Sequence, residues 1–311
     1  MDLLKKKFHP RLILIDLDGT TLDRDYRTFN KLNGEVLTYL AKLGHKVCIA
    51  TGRNFWSALP YYEKLGLNTL MASYNGAYIN NPSKEKLKKD PEILNFNHIS
   101  NGVIRSILTK KIIQDSLLNA LVDSIDREII CTEKKDVYWH EVWFNQNKFT
   151  HGDILENLEK KDALQLVLEF ANDDKLNIII ATLRRNYHSS IFFDVVNKLR
   201  RDPQNPSSPT LVPDPEKMVI RIRSVMADKG KAAKRIASHY NIPLNDVMAF
   251  GDSENDIEMI RDVGWGVAMA NGEIYLKTLG RDVTQFKNYE GGVGKYLIDY
   301  FQLPSEKFLS E

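Results

Sequence analysis

Hydrophobic and polar positions along the chain fall into alternating blocks. Residues 12–15, LILI, are four aliphatics in a row, which predicts a short strand that is apolar on both faces, as in a covered parallel sheet. Residues 33–43 then repeat their apolar positions at helical spacing, residues 46–50 predict a second strand, residues 55–65 a second helix and residues 69–72 a third strand. Strands alternating with helices at this spacing imply a parallel sheet flanked by helices, because each crossover has to return the chain to the same edge direction.

The rhythm breaks at residues 82–89, PSKEKLKK, where a proline, a serine and a run of lysines suggest a boundary. Beyond it the pattern is of another kind. Residues 103–125 and 173–183 read as long helical stretches, interleaved with strand-like residues 128–131, 137–144 and 164–170, which together predict an α+β unit. Residues 201–216 carry Pro203, Pro206, Pro209, Pro213 and Pro215, so they are expected to be neither helix nor central strand but a loop near the return linker. After that loop, strand-like residues 218–222 and 247–250 alternate with helical residues 230–240 and 256–261. The first rhythm has resumed, so the simplest organisation is one α/β domain, residues 1–82 and 216–311, interrupted by an inserted unit at residues 83–215.

Composition narrows the functional classes. With 311 residues, and about 150 per domain as a prior, two domains are expected. The 43 basic and 41 acidic residues nearly cancel, which gives none of the basic excess of a nucleic-acid binder. The lysines near the N-terminus are not followed by an apolar stretch, and no segment approaches the roughly 18 apolar residues of a membrane span. A cytoplasmic protein without nucleic-acid or membrane partners is the expectation. The two cysteines, Cys48 and Cys131, stand in apolar strand-like runs without metal-ligand spacing and read as core thiols.

The candidate chemistry begins where the first apolar run ends. Asp16 and Asp18 lie two residues apart, on one side of an extended chain, just before Gly19 lets the chain turn. At the carboxyl end of a parallel strand they would offer two oxygens to one ligand. Their mutual repulsion disappears around a hard divalent cation such as magnesium, and one carboxylate can attack phosphorus while the other handles protons. An acidic turn leaving a buried strand explains the pair equally well. The segment 48–53, CIATGR, again ends a strand in a hydroxyl and a glycine: Thr51 and the amides around Gly52 form a donor cluster suited to phosphoryl oxygens, or simply a turn into the next helix. In residues 247–256, VMAFGDSEND, Ser253 and Asp256 match a capping pattern, which leaves Asp252 and Asn255 without a structural reason. Lys229 precedes a helical glycine and could reach a phosphate, although with Lys231 and Lys234 nearby a solvated helix face accounts for it too.

Together these pieces supply carboxylates, a hydroxyl and a cation, three of the four pieces falling at the predicted carboxyl ends of strands in one sheet, and these are the needs of phosphoryl transfer. Here the chain resembles the haloacid dehalogenase superfamily, and within it the Cof-type sugar-phosphatase-like hydrolases. The likeness is carried by DLDGT at 16–20, ATGR at 50–53, SYNGA at 73–77, Lys229-Gly230 and GDSEND at 251–256, and continues in WGVAMAN at 265–271 and EGGVG at 290–294. Thr21 departs from it, standing where the group more often has leucine.

The resemblance implies a Rossmann-like parallel-sheet core domain with an inserted α+β cap domain. It also implies a magnesium-dependent phosphatase that acts on a small phosphomonoester. By resemblance Asp16 is the nucleophile that becomes an aspartyl-phosphate, and Asp18 is the acid and base. Asp16, Asp252 and the backbone carbonyl of Asp18 would hold Mg2+. Thr51, Gly52, Lys229 and Asn255 would contact the phosphoryl group, with Asp256 in support. Asn75 is a weaker candidate, since Asn-Gly is a common turn. A phosphomutase of the same fold, or a non-catalytic phospho-aspartate module, shares these motifs. The substrate's identity and the oligomeric state are left open. The aromatic run WHEVWF at 139–144 alternates as a core strand would, and His140, His151 and His188 lack metal-ligand spacing.

Overall fold

The computed structural model describes residues 10–86, 93–125, 128–132, 149–201, 203–204 and 211–308. The described chain forms two compact units. The first comprises residues up to Gly52, Leu59–Leu94 and residues from Asp228 onward; the second comprises Arg53–Ala58 and Asn95–Ala227.

The chain enters the first unit through β1 (Leu12–Ile15), α1 (Lys31–Lys42), β2 (Lys46–Ile49), α2 (Phe55–Lys64), β3 (Met71–Ser73), β4 (Tyr78–Asn80), α3 (Pro82–Lys86) and β5 (Ile93–Phe96). All four residues of β1 are fully buried, as their unbroken apolar character requires of a central parallel strand. Helix α1 starts where the Asn30 side chain accepts the N–H of Asn33. The third predicted strand forms as β3, but it pairs antiparallel with β4 and touches the parallel sheet through one bridge, Ala50 to Ala72.

The second unit runs through α4 (Asn101–Leu108), α5 (Lys111–Gln114), β6 (Leu117–Ser124), β7 (Ile129–Cys131), β8 (Phe149–His151), α6 (Ile154–Asn157), β9 (Ala163–Ala171), α7 (Asp174–Tyr187), β10 (Ile191–Arg201) and β11 (Leu211–Ser224). Its six-stranded sheet has the order β10-β11-β9-β6-β7-β8. The long helix expected over residues 103–125 ends at Leu108, and its second half is strand β6 instead. The reason lies in burial: Ala120 and Val122 pack into the core that holds α4 and α7, while Leu121 packs into a second cluster with Ile129, Val167 and Val219. A strand apolar on both faces carries no alternation to betray it.

The proline-rich segment is also revised. Pro213 and Pro215 lie inside β11, in the stretch that pairs with β10 alone, opposite a bulge between Asn197 and Leu199; pairing of β11 with β9 begins only at Lys217. A two-stranded overhang beside a bulge is where a strand tolerates proline. Strand β11, expected to reopen the parallel sheet from residue 216, thus belongs to the antiparallel sheet, and the first unit resumes at Asp228 rather than at 216. Residues 137–144, with the aromatic run and His140, lie outside the described residues.

The chain completes the first unit with α8 (Lys229–His239), β12 (Val247–Gly251), α9 (Ile257–Asp262), β13 (Trp265–Ala268), α10 (Ile274–Leu279), β14 (Asp282–Val283) and α11 (Gly292–Phe301). Its sheet is parallel throughout, in the order β14-β13-β12-β1-β2, so β1 and β12 are adjacent at the centre. Both cysteines are buried and free, as expected of core thiols. Among the described residues no helix is long and apolar enough to cross a membrane.

Candidate active site

Because β1 and β12 are parallel neighbours, the residues that follow them emerge side by side. Asp16 N donates to the carbonyl of Phe250, so the turn after β1 starts in register with β12. That turn closes on a single acceptor: the amides of Thr20, Thr21 and Leu22 all donate to the carbonyl of Leu17. Gly19 provides the left-handed residue it needs, with φ of 70°. A Cβ on Gly19 would stand 2.1 Å from Oδ2 of Asp252, so glycine also lets the Asp252 carboxylate lie against the backbone. Thr20 Oγ1 donates to Oδ1 of Asp252 (3.2 Å), and Asn271 Nδ2 donates to the carbonyl of Gly19 (2.7 Å).

Lys229 is not on a solvated face. It opens α8, whose N-cap Asp228 accepts the N–H of Lys231, and its side chain is fully buried with Nζ 2.7 Å from Asp16 Oδ1 and 2.7 Å from Asp256 Oδ1. Gly230 permits this approach of α8, because a Cβ there would stand 2.6 Å from Cβ of Glu258 on α9. The other oxygen of Asp256 accepts the amides of Asp252 and Ser253 (3.0 and 3.2 Å). Both Asp256 oxygens are therefore engaged, whereas Oδ2 of Asp16 has no hydrogen-bond partner among the described residues.

The phosphate-loop candidates join the same cluster. Thr51 is fully buried just beyond β2, and a Cβ on Gly52 would stand 3.2 Å from both Asn255 Nδ2 and Asn75 Oδ1. Asn255 Nδ2 donates to Asn75 Oδ1 (2.8 Å), and Ser253 Oγ donates to Asn255 Oδ1 (2.7 Å). Asn75, the weaker candidate, thus meets Asn255, and Ser253, read from its motif as a capping residue, also bonds the Asn255 side chain; the motifs give Thr20 and Asn271 no role, because nothing local marks a side chain whose partner lies far along the chain.

The electrostatics are unbalanced. Asp16, Asp18, Asp252 and Asp256 act on one another across a buried site in which the Lys229 ammonium opposes them. Burial raises the Asp16 pKa well above the carboxylate range; Lys229 opposes this, and the other three carboxylates add to it. Burial, with the Asp256 charge, pushes Asp252 up to about 7. For Lys229 burial alone would lower the pKa, but Asp16 and Asp256 outweigh it and hold the amine charged. Oxygens of Asp16, Asp252 and Asp256 lie within 4.8 Å of one another. An all-oxygen donor set short of positive charge fits a hard divalent cation.

His151 and His188 belong to the second unit: His151 Nδ1 lies 3.1 Å from Sγ of Cys131, and His188 caps the C-terminus of α7.

The model of the haloacid dehalogenase-like hydrolase family matches residues 13–297. Over 304 residues, 94% of this chain and 98% of the relative, the sequence is 30% identical to 5-amino-6-(5-phospho-D-ribitylamino)uracil phosphatase YitU of Bacillus subtilis. It is 28% identical over 295 residues to phosphatase YwpJ of the same organism, covering 91% of this chain and 97% of that one. In fold it is similar to a haloacid dehalogenase-like hydrolase from Bacteroides thetaiotaomicron, with a TM-score of 0.74 at 21% identity over 94% of this chain and 100% of the other.

Proposed function

The chain belongs to the haloacid dehalogenase-like hydrolases and is a phosphatase, and from that premise we propose that it hydrolyses a small phosphorylated metabolite, with magnesium, through an aspartyl-phosphate on Asp16. The observation that carries this reading is the buried Lys229 ammonium, which engages one oxygen of Asp16 and leaves the other without a hydrogen-bond partner among the described residues.

In the first step Oδ2 of Asp16 attacks phosphorus, the bond to the substrate's oxygen breaks, and Asp18 gives that oxygen a proton. In the second, Asp18 takes a proton from water as the water's oxygen attacks phosphorus; inorganic phosphate leaves and the Asp16 carboxylate is restored. Lys229, Thr51, the backbone at Gly52 and Nδ2 of Asn255 hold the phosphoryl oxygens, on which negative charge is concentrated in the transition state. Asp256 keeps Lys229 in place. Asp16, Asp252 and the backbone carbonyl of Asp18 would hold magnesium, which would supply the positive charge that the carboxylate cluster lacks.

Residues 95–227 act in this reading as the cap that selects the substrate. Two relatives of this chain are named as phosphatases of 5-amino-6-(5-phospho-D-ribitylamino)uracil, which makes that phosphomonoester the first substrate to test. Phosphate release is to be measured from it and from a panel of sugar phosphates, with magnesium and with chelator. The expected result is metal-dependent release that Asp16→Asn abolishes; release that survives in Asp16→Asn overturns the reading.

A further inference from the structure

Asn75 is 7% exposed and sits in a left-handed conformation, φ 54° and ψ 35°, in the tight turn between β3 and β4. Asn-Gly is common in such turns, but this turn is tied at three points to the segments that carry the phosphate-binding candidates. The backbone N–H of Asn75 donates to the carbonyl of Thr51 (2.9 Å). Its side-chain Oδ1 accepts from Nδ2 of Asn255 (2.8 Å). The next residue, Gly76 (φ 85°), packs so closely on the start of α8 that a Cβ would stand 2.8 Å from the Asp228 carbonyl and 2.8 Å from Ala232 Cβ, on either side of Lys229.

A carboxamide presents an acceptor at one end and two donors at the other, and a site for phosphate requires the donor end. The hydroxyl of Ser253 cannot select that orientation for Asn255, since it can donate or accept. In the structure Oδ1 of Asn75 is the acceptor that holds it: it takes one N–H of Asn255 Nδ2 (2.8 Å), a nitrogen that a Cβ on Gly52 would meet at 3.2 Å. We propose that Asn75 is the positioning residue of the phosphate site, aligning the Asn255 amide with its side chain while its backbone anchors the Thr51 loop. The proposal rests on the reading of Asn255 as a phosphoryl contact.

Asn75→Gly separates the two functions, because glycine accepts the left-handed backbone and keeps the N–H to Thr51 while the side chain is lost. Binding of inorganic phosphate in the presence of magnesium, measured by calorimetry, needs no turnover. The expected result is about tenfold weaker binding for Asn75→Gly, the scale of one hydrogen bond, with an unchanged unfolding temperature. Asn255→Ala should weaken binding at least as much, and the double variant should match Asn255→Ala alone, because Asn75 acts through that amide. Unchanged binding in Asn75→Gly, or losses that add in the double variant, would overturn the proposal alone. Unchanged binding in Asn255→Ala would overturn the reading beneath it as well.

Discussion

The ammonium of Lys229 lies 2.7 Å from an oxygen of Asp16 although 213 residues separate the two in sequence. The contact joins the first strand to the helix that follows the inserted unit, so the central charge pair is completed only after the second unit has been threaded through the chain. It also sets the consequence of losing either partner.

Lys229→Met should be costly twice over. Removing one member of a buried pair leaves the other uncompensated, at about 3–5 kcal/mol. The midpoint of urea unfolding should fall accordingly, and phosphatase activity should be lost. Adding Asp256→Asn should recover part of the stability without recovering activity. Recovery of both would show that the lysine only balances charge.

Asp18→Asn keeps the backbone carbonyl assigned to magnesium and loses only the proton carrier. Hydrolysis of an alkyl phosphate should drop about a hundred- to ten-thousandfold. An aryl phosphate needs little protonation of its leaving group, so with it the variant should release a burst of phenol near one equivalent and then stall. Mass spectrometry of the Asp16 peptide would detect the trapped phosphoryl group. Turnover of both substrates at the parent rate would reduce Asp18 to a turn residue.

Magnesium should raise the unfolding temperature of the substrate-free protein, since a ligand at a hundred times its dissociation constant stabilises by about 2.7 kcal/mol. Gly19→Ala should abolish that shift. Its methyl group would occupy the space of the Asp252 carboxylate, and its backbone would be forced into the left-handed region. A full magnesium shift in the variant would remove Asp252 from the metal site.

His45 supplies a pH dependence outside the site. Its Nδ1 accepts the backbone N–H of Arg11 (3.1 Å), which requires the neutral ring, and burial, with the Arg11 charge, lowers its pKa from the ordinary imidazole value. The unfolded chain binds a proton near pH 6.5 that the folded chain refuses, so this residue's contribution is present above about 6.5 and is lost as the pH falls toward the lowered value. Chemical unfolding at pH 7.5 and 5.5 should show a smaller acid loss in His45→Gln than in the parent. Equal losses would assign the acid sensitivity elsewhere.

Much of the architecture is legible because burial on both faces demands unbroken apolar runs: residues 12–15 and 247–250 could scarcely be anything but inner strands, and the acidic residues after them had to emerge together. The same property hides β6, whose two apolar faces imitate a helix when the sheet around it is unknown. Pro213 and Pro215 mislead for a related reason, since what a strand tolerates depends on whether a neighbour lies on each side, and that is settled by β9 stopping short. Within the site, Asp16 and Asp252 announce themselves by following strands. Lys229 resembles Lys231 and Lys234 until α8 docks, and Asn75 resembles any turn asparagine until Asn255 meets it. Partnerships between distant side chains leave no periodic trace.

Gly230 carries a lesson for anyone engineering this protein. Replacing glycine by alanine within a helix is a standard route to thermal robustness, gaining about 0.8–1.0 kcal/mol where the helix is free to accept it. Here the bare Cα is what allows α8 and α9 to come within touching distance, one residue after Lys229. A stabilising methyl group would wedge those helices apart at the root of the ammonium. The looseness a protein designer would remove first is thus the clearance that sets the reach of the charge.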